Sequence, residues 1–324
     1  MTNMKKTPRL IHALRLAALV ILIAPAALVA CSGGSGGCGS NCTVPAFNVP
    51  PTGGPGPIIT PVPTPTPTPI PTPAPLACTQ GASAITLGPA LAPFALLAGS
   101  TITNVGNTFV TYTGSTHDDL VGVSPGTAVT GFYPPGTVAD GPNSIYAATF
   151  NTNAAVPLAA ENALTTAYNT AAGRPATTTF VGTPDLSQQT VPGHPTGTLP
   201  PGVYKASSSA SIAAGNLTLD GGGDPTSVFI FQMGSTLTTT LNGSTSGNVI
   251  LTGNASACNI YWQVGSSATL GGATFFGNVF AFSSITLNAS NFTGRALAGG
   301  PSLGTGAVSI PVAGGSLITN PGGS

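Results

Sequence analysis

Residues 259–298 read NIYWQVGSSATLGGATFFGNVFAFSSITLNASNFTGRALA. One charged side chain, Arg295, interrupts them. Strand-length apolar runs alternate with Ser, Thr, Gly and Asn corners. Ser266-Ser267-Ala268-Thr269-Leu270 returns as Ser283-Ser284-Ile285-Thr286-Leu287, displaced by 17 residues. A fixed period of this length predicts a β-solenoid. A single coil cannot bury its apolar side, so coils stack on a shared core and place equivalent residues in rows. A row that faces water is a flat, regularly spaced surface.

The composition sets bounds around this stretch. Of 324 residues only 4% are charged, against about a quarter in an ordinary domain. Gly (44) and Pro (32) are abundant, but 41% hydrophobic residues in organised runs supply a core. Four of the seven basic residues, Lys5, Lys6, Arg9 and Arg15, crowd the first 15 positions. Arg174, Lys205 and Arg295 remain against seven acids, so the chain after residue 30 carries −4. No basic patch exists for nucleic acid.

The beginning reads as a targeting segment: a positive region, then an apolar stretch over 16–30 too short to span a bilayer comfortably. Leu28-Val29-Ala30-Cys31 resembles a bacterial lipobox, which implies a signal peptide over 1–30 and lipid on Cys31. An ordinary signal peptide cut near Ala30, or an uncleaved anchor, is the bland alternative. Ser32, not Asp, follows the cysteine, and the resemblance then favours an exported lipoprotein at the outer membrane or cell surface, held to the membrane at Cys31. A lipidated N-terminus with a Gly/Ser spacer and a Pro/Thr-rich linker fills 31–77. Proline at alternate positions fixes φ and removes donors, so the linker is expected in polyproline II, reaching roughly 100 Å. Cys38, Cys42, Cys78 and Cys258 allow three pairings in an oxidising compartment. The expected ones are Cys78 with Cys258, pinning the domain's start to its core, and Cys38 with Cys42 locally.

The folded domain is expected over 78–310, with a flexible tail over 311–324. Residues 85–94 and 95–103 read as its first strands, and 109–112 continues them. The stretch 157–172 is the one convincing helix. Pro157 suits its first turn and Gly173 its end, and Ala160, Leu164, Ala167, Tyr168 and Ala171 share a face. Glu161, Thr165 and Asn169 are expected off that face. Strand-like runs from 203 onward carry aromatics suited to a narrow core, Trp262 among them.

These residues resemble the microbial ice-binding protein family. The resemblance runs through Leu96-Leu97-Ala98-Gly99-Ser100-Thr101, Gly122-Val123-Ser124-Pro125-Gly126-Thr127, Leu199-Pro200-Pro201-Gly202-Val203-Tyr204, Trp262-Gln263-Val264-Gly265-Ser266 and Gly294-Arg295-Ala296-Leu297-Ala298. It implies a mainly β fold: a right-handed, discontinuous β-solenoid of triangular section with one long helix alongside. It also implies a monomeric domain whose partner is the surface of an ice crystal, with no cofactor. One departure is Asp118-Asp119-Leu120-Val121-Gly122, a residue longer than the family's Gly-Asp-Leu-Gly.

Family members tend to bind ice through a flat face bearing Thr-(Ala/Gly)-x-(Thr/Asn) steps. Thr127-Ala128-Val129-Thr130 fits, and weaker echoes start at Ala213, Asn242, Gly271 and Asn288. The resemblance therefore nominates Thr127, Thr130, Asn216, Asn242, Thr245, Thr274, Asn288 and Asn291 as the ice-binding face. The physical logic is that alternate strand residues share a face. Threonine offers a methyl and a hydroxyl in a stiff rotamer, ordering water at little further entropy cost. An adhesin or structural module that kept the fold without ice affinity is the alternative.

Other chemistry is sparse. Asp220-Gly221-Gly222-Gly223-Asp224 matches a calcium turn loosely and reads as a coil corner, and His117-Asp118-Asp119 reads as a solvated loop rather than a metal site. Paired carboxylates for glycoside hydrolysis are hard to assemble from one Glu and six Asp, and the three late cations disfavour a polysaccharide enzyme. No catalytic residue is expected.

Overall fold

Small-residue corners separate the apolar runs, and each run pairs with its counterpart one coil away. In the computed structural model, residues 78–323 are described other than 115–116, 241–244 and 300–304. Every ladder among them is parallel, in sheets of twelve, seven and three strands. The chain visits the sheets in turn. Phe94–Ala98 lies in the large sheet, Thr101–Asn104 in the seven-stranded sheet, and Phe109–Tyr112 in the large sheet again. The repeat at 266 and 283 is one such step: Ala268, Thr269 and Leu270 pair with Ile285, Thr286 and Leu287.

Stacking order departs from chain order. Leu96, Leu97 and Ala98 pair with Ala296, Leu297 and Ala298, and Thr101–Asn104 pairs with Ala307–Ile310. The first coils thus continue the stack begun by the last ones. The connection that makes this possible is the helix Ala155–Ala172. At 1.5 Å per residue its 18 residues cover about 27 Å. It carries the chain from Ile145–Tyr146 at one end of the stack to Thr178–Phe180 at the other.

Burial patterns show what covers each sheet. FALLA, FIFQM and IYWQV of the large sheet are buried at all five positions. Their inner side chains enter the coil core, and their outer ones, including Leu97, Ile230 and Tyr261, meet Ala160, Leu164, Ala167 and Tyr168 of the helix. Continuous apolar runs are what a parallel strand covered on both faces requires. Ala268–Leu270 and Ser284–Leu287 instead alternate buried and part-exposed residues, so one face of their sheet is open. Inside the coils, Phe180, Tyr204, Phe231, Trp262, Phe275 and Phe292 form an aromatic column with centroid spacings of 4.1–6.0 Å. Trp262 belongs to this core, its Nε1 donating to the Phe276 carbonyl at 2.9 Å. The long strands Thr274–Ala281 and Asn291–Ala298 turn a corner midway, at the paired Gly277 and Gly294. A Cβ on Gly294 would lie 1.9 Å from the Gly277 carbonyl oxygen, so only glycine fits.

Cys78 and Cys258 form a disulfide across 180 residues, with a Cα separation of 6.1 Å. Beside it, Asn259 accepts from the Gly81 amide and donates to the Thr79 carbonyl. The domain's start is pinned as expected; Cys31, Cys38 and Cys42 lie outside the described residues.

Several expectations are corrected. Residues 85–94 are not a strand: Gly88–Leu91 is a short helix with proline in its first turn, and Ile85, Leu87 and Leu91 pack beneath the long helix. Pro89 has no amide for a ladder, and Gly88, at φ +69°, breaks the extended chain. The segment after Pro311 does not fray. Leu317–Asn320 pairs with Asn291–Ala298 on one side and Phe109–Tyr112 on the other, and Ile318 is in the core. Asp119 is not solvated: it is buried, and its Oδ2 accepts from the Asp140 amide at 2.7 Å. His117 pairs with Asp140.

Glu161 is the sharpest correction. It lies on the packed side of the helix, 0% exposed, and neither carboxyl oxygen has a hydrogen-bond partner. Burial pushes its carboxyl up from 4.5 to about 8. The sign follows from proton linkage. Between about 4.5 and 8 the folded chain holds a proton that the unfolded chain releases, so this contribution is complete below 4.5 and is lost as pH rises toward 8. The full swing is on the order of 3–5 kcal/mol. Melting temperature is expected to fall from pH 5 to pH 8, and Glu161→Gln to flatten most of that slope. Equal slopes for wild type and variant would count against it.

Candidate ice-binding face

The seven-stranded sheet orders its strands as Ala210–Ile212, Leu237–Thr239, Ala268–Leu270, Ser284–Leu287, Ala307–Ile310, Thr101–Asn104 and Ala128–Thr130. Pairing fixes which side chains align. Ser211, Thr238, Thr269, Thr286, Ser309, Thr103 and Thr130 fall in one register line. All seven bear hydroxyls. With strands about 4.8 Å apart the row extends roughly 29 Å. Two positions earlier on each strand lies a second row: Ser209, Thr236, Ser267, Ser284, Ala307, Thr101 and Ala128. Neighbouring hydroxyls in it bond to each other, Thr236 to Ser209 at 2.8 Å and Ser284 to Ser267 at 2.9 Å.

The backing of these rows is rigid. Between them, Ala210, Leu237, Ala268, Ile285, Val308, Ile102 and Val129 point inward and are buried. Threonine on a paired strand has little χ1 freedom. Neither row contains a charged side chain. A charge would hold water in a shell centred on itself. Hydroxyls and methyls at fixed intervals instead let water extend a lattice from one site to the next.

The sequence-nominated residues are distributed as follows. Thr130 stands in the seven-hydroxyl row. Thr127 is exposed one residue before its strand, beside a pocket with Tyr146 and Asn151. Thr274 and Asn291 pair with each other at the start of the long strands of the large sheet, in register with the exposed Leu317 and Phe109. Asn216 is a corner residue. Its Nδ2 donates to the Thr245 carbonyl at 3.0 Å, and its Oδ1 accepts from Asn248. Thr245 is exposed at that corner, and Asn288 turns the chain just after Ser284–Leu287, its amide bonded to the Leu270 carbonyl. Asn242 lies outside the described residues. The seven described residues therefore do not share one sheet. The echoes that start at Ala213, Gly271 and Asn288 trace corners after strands of this sheet, where close stacking selects small residues. The mark of the sheet is hydroxyl, apolar, hydroxyl, as in Thr236-Leu237-Thr238, Ser284-Ile285-Thr286 and Thr101-Ile102-Thr103. Period-2 alternation at 268–270 and 285–287 carries that signal.

The large sheet presents a second open region. Thr293, Thr319 and Thr111 align there in a shorter row. Phe109 and Leu317 beside it are 43% and 42% exposed, which breaks the hydroxyl pattern. Asp220 and Asp224 close their own turns, accepting from the amides of Gly222 and Thr226. Among the described residues no group of three or more His, Cys, Asp or Glu converges as a metal site would require, and no helix is long and apolar enough to cross a membrane.

A sequence profile described as ice-binding-like matches residues 96–310. The chain belongs to that family. An ice-binding protein of Nostoc sp. (strain HG1) is 41% identical over 222 residues, covering 68% of this chain and 71% of the relative. Ice-binding-like architecture also recurs in solved structures. An ice-binding protein from an Antarctic biological consortium superposes with a TM-score of 0.57 at 37% identity, covering 75% of this chain and 94% of the other. One from the Antarctic ascomycete Antarctomyces psychrotrophicus gives 0.56 at 30% identity, covering 73% and 98%.

Proposed function

We propose that this ice-binding-like chain adsorbs to ice through its seven-stranded sheet and thereby inhibits ice growth or recrystallisation. The observation that carries the reading is the uncharged line of seven aligned hydroxyls on an apolar backing. Each hydroxyl–water contact is weak. Many made at once on a solid that cannot diffuse away hold the protein in place, and ice must then bulge between adsorbed molecules. The curved front raises the local free energy of the solid, so growth slows. No covalent step is involved, and the relatives named above are ice-binding proteins.

Parallel ladders in three sheets, and first coils stacked on last ones, support a right-handed discontinuous β-solenoid. The chain acts as a monomer, exported as a lipoprotein anchored at Cys31, and its Pro-rich linker holds the sheet clear of the cell surface. Ice crystals in a frozen sucrose film are expected to stay small at micromolar protein. Coarsening as in buffer, with a β-sheet circular dichroism spectrum intact, would overturn ice binding and leave a surface adhesin or structural coat module.

A further inference from the structure

Arg174 directly follows the Gly173 cap of the long helix and is one of three cations after residue 30. Its surroundings differ from those of Arg295. The Arg295 guanidinium is buried and uses all three nitrogens in hydrogen bonds. Among the described residues the Arg174 Nε is buried with no partner, and the guanidinium's one bond is from Nη2 to the Ala84 carbonyl at 3.4 Å. Among the described residues it forms no ion pair. An unsatisfied buried donor on a cation costs free energy in the folded chain. A ligand with paired oxygens would satisfy it.

Arg174 lines a half-open cleft of about 480 Å³ on one side and a hollow shared with Ala84 on the other; the cleft is within the size range of small-molecule sites. Val203, Val228 and Ile230 supply apolar wall. Ser227, 5% exposed, lines the cleft, with its Oγ buried toward Gly221. Asp224 lies on the same wall; its Oδ1 is taken by Thr226. These features select a ligand class. Guanidinium prefers a planar pair of oxygens, as in a carboxylate. The Asp224 carboxylate disfavours a bare, multiply charged oxyanion but accepts from hydroxyl groups. The apolar wall suits the C–H face of a sugar ring. We propose that this cleft binds a hexuronic acid, with its carboxylate on Arg174 and a ring hydroxyl on Asp224. The same chemistry comes as free sugar acid or as a residue of an acidic polysaccharide.

The test titrates sodium glucuronate into the ¹⁵N-labelled full chain and follows the arginine side-chain Nε–H resonances. Glucose, sodium acetate and inorganic phosphate are run at matched ionic strength. The Arg174 resonance, identified by its loss in Arg174→Gln, is expected to shift saturably with glucuronate, at a concentration at least about ten-fold below that needed for acetate or glucose. Arg295, enclosed in the core, is expected not to move. Asp224→Asn is expected to weaken glucuronate and not acetate. An oligouronide that binds tighter than the monomer identifies a polysaccharide ligand, and equal affinity identifies the free acid. Acetate matching glucuronate, phosphate binding tighter, or an unmoved Arg174 resonance would each overturn the proposal. The ligand comparison is made on the wild-type fold, and unchanged acetate binding by Asp224→Asn shows that this variant remains folded.

Discussion

Arg295→Ala is expected to remove about 3–5 kcal/mol of folding stability and to lower the melting temperature by roughly 10 °C or more. Arg295 is fully buried in the strand Asn291–Ala298. Its Nε donates to the Ala92 carbonyl at 2.8 Å, Nη1 to Asn278 Oδ1 at 2.9 Å, and Nη2 to the carbonyls of Gly323 and Gly322 at 3.0 and 3.3 Å. Asn278 in turn donates to the carbonyls of Cys258 and Ile260. One side chain thus joins the first helix's end, the disulfide-bearing coil and the chain's last described residues. Burial lowers the Arg295 pKa to about 10, so it stays charged at neutral pH. Truncation strands several buried acceptors and leaves a cavity, and both effects have the same sign. Arg295→Lys keeps the charge but cannot reach Ala92 and Asn278 together, so an intermediate loss is expected. Thermal unfolding followed by circular dichroism measures both. A loss under about 1 kcal/mol for the alanine variant would mean that the coils do not depend on this hub.

Thr286→Tyr is expected to abolish ice recrystallisation inhibition while leaving stability within about 0.5 kcal/mol. Thr286 is central in the seven-hydroxyl row, paired with Thr269 on one side and Ser309 on the other. A tyrosine ring there stands proud of the sheet and holds ice off its neighbours, so the loss exceeds one contact. It buries nothing new and disturbs no core residue. Thr319→Tyr makes the matching change in the shorter threonine row beside Phe109 and Leu317. It is expected to leave activity near wild type. Crystal size in the sucrose film, with melting curves for both variants, decides the matter. Loss of activity in Thr319→Tyr with Thr286→Tyr unaffected would move the ice contact to the large sheet.

The repeat and the long helix were legible from residue order alone, whereas the cysteines left three pairings open. Repeat and helix each rest on a local signal: the return of Ser-Ser-x-Thr-Leu, and apolar residues three and four apart; that Cys78 meets Cys258, 180 residues on, was decided by the fold. Which hydroxyls share a plane was not local. Thr103 and Ser309 are 206 residues apart in the chain and adjacent in the sheet, because the first coils stack on the last. Of the residues that the family's step pattern nominated, Thr130 stands in the row, Thr274 and Asn291 open strands of the large sheet, and Asn216, Thr245 and Asn288 sit at corners, since small residues are selected wherever backbones stack closely. Glu161 and Arg295 make the same point with charge. Helical spacing gives the packed face of 157–172 but not that a carboxyl would be enclosed there without a donor. The order of apolar and polar residues fixes strands and period, since each strand must bury alternate side chains. Only stacking of distant coils decides which exposed side chains align into one surface, because register between chain segments is set by the packed core and not by either segment alone.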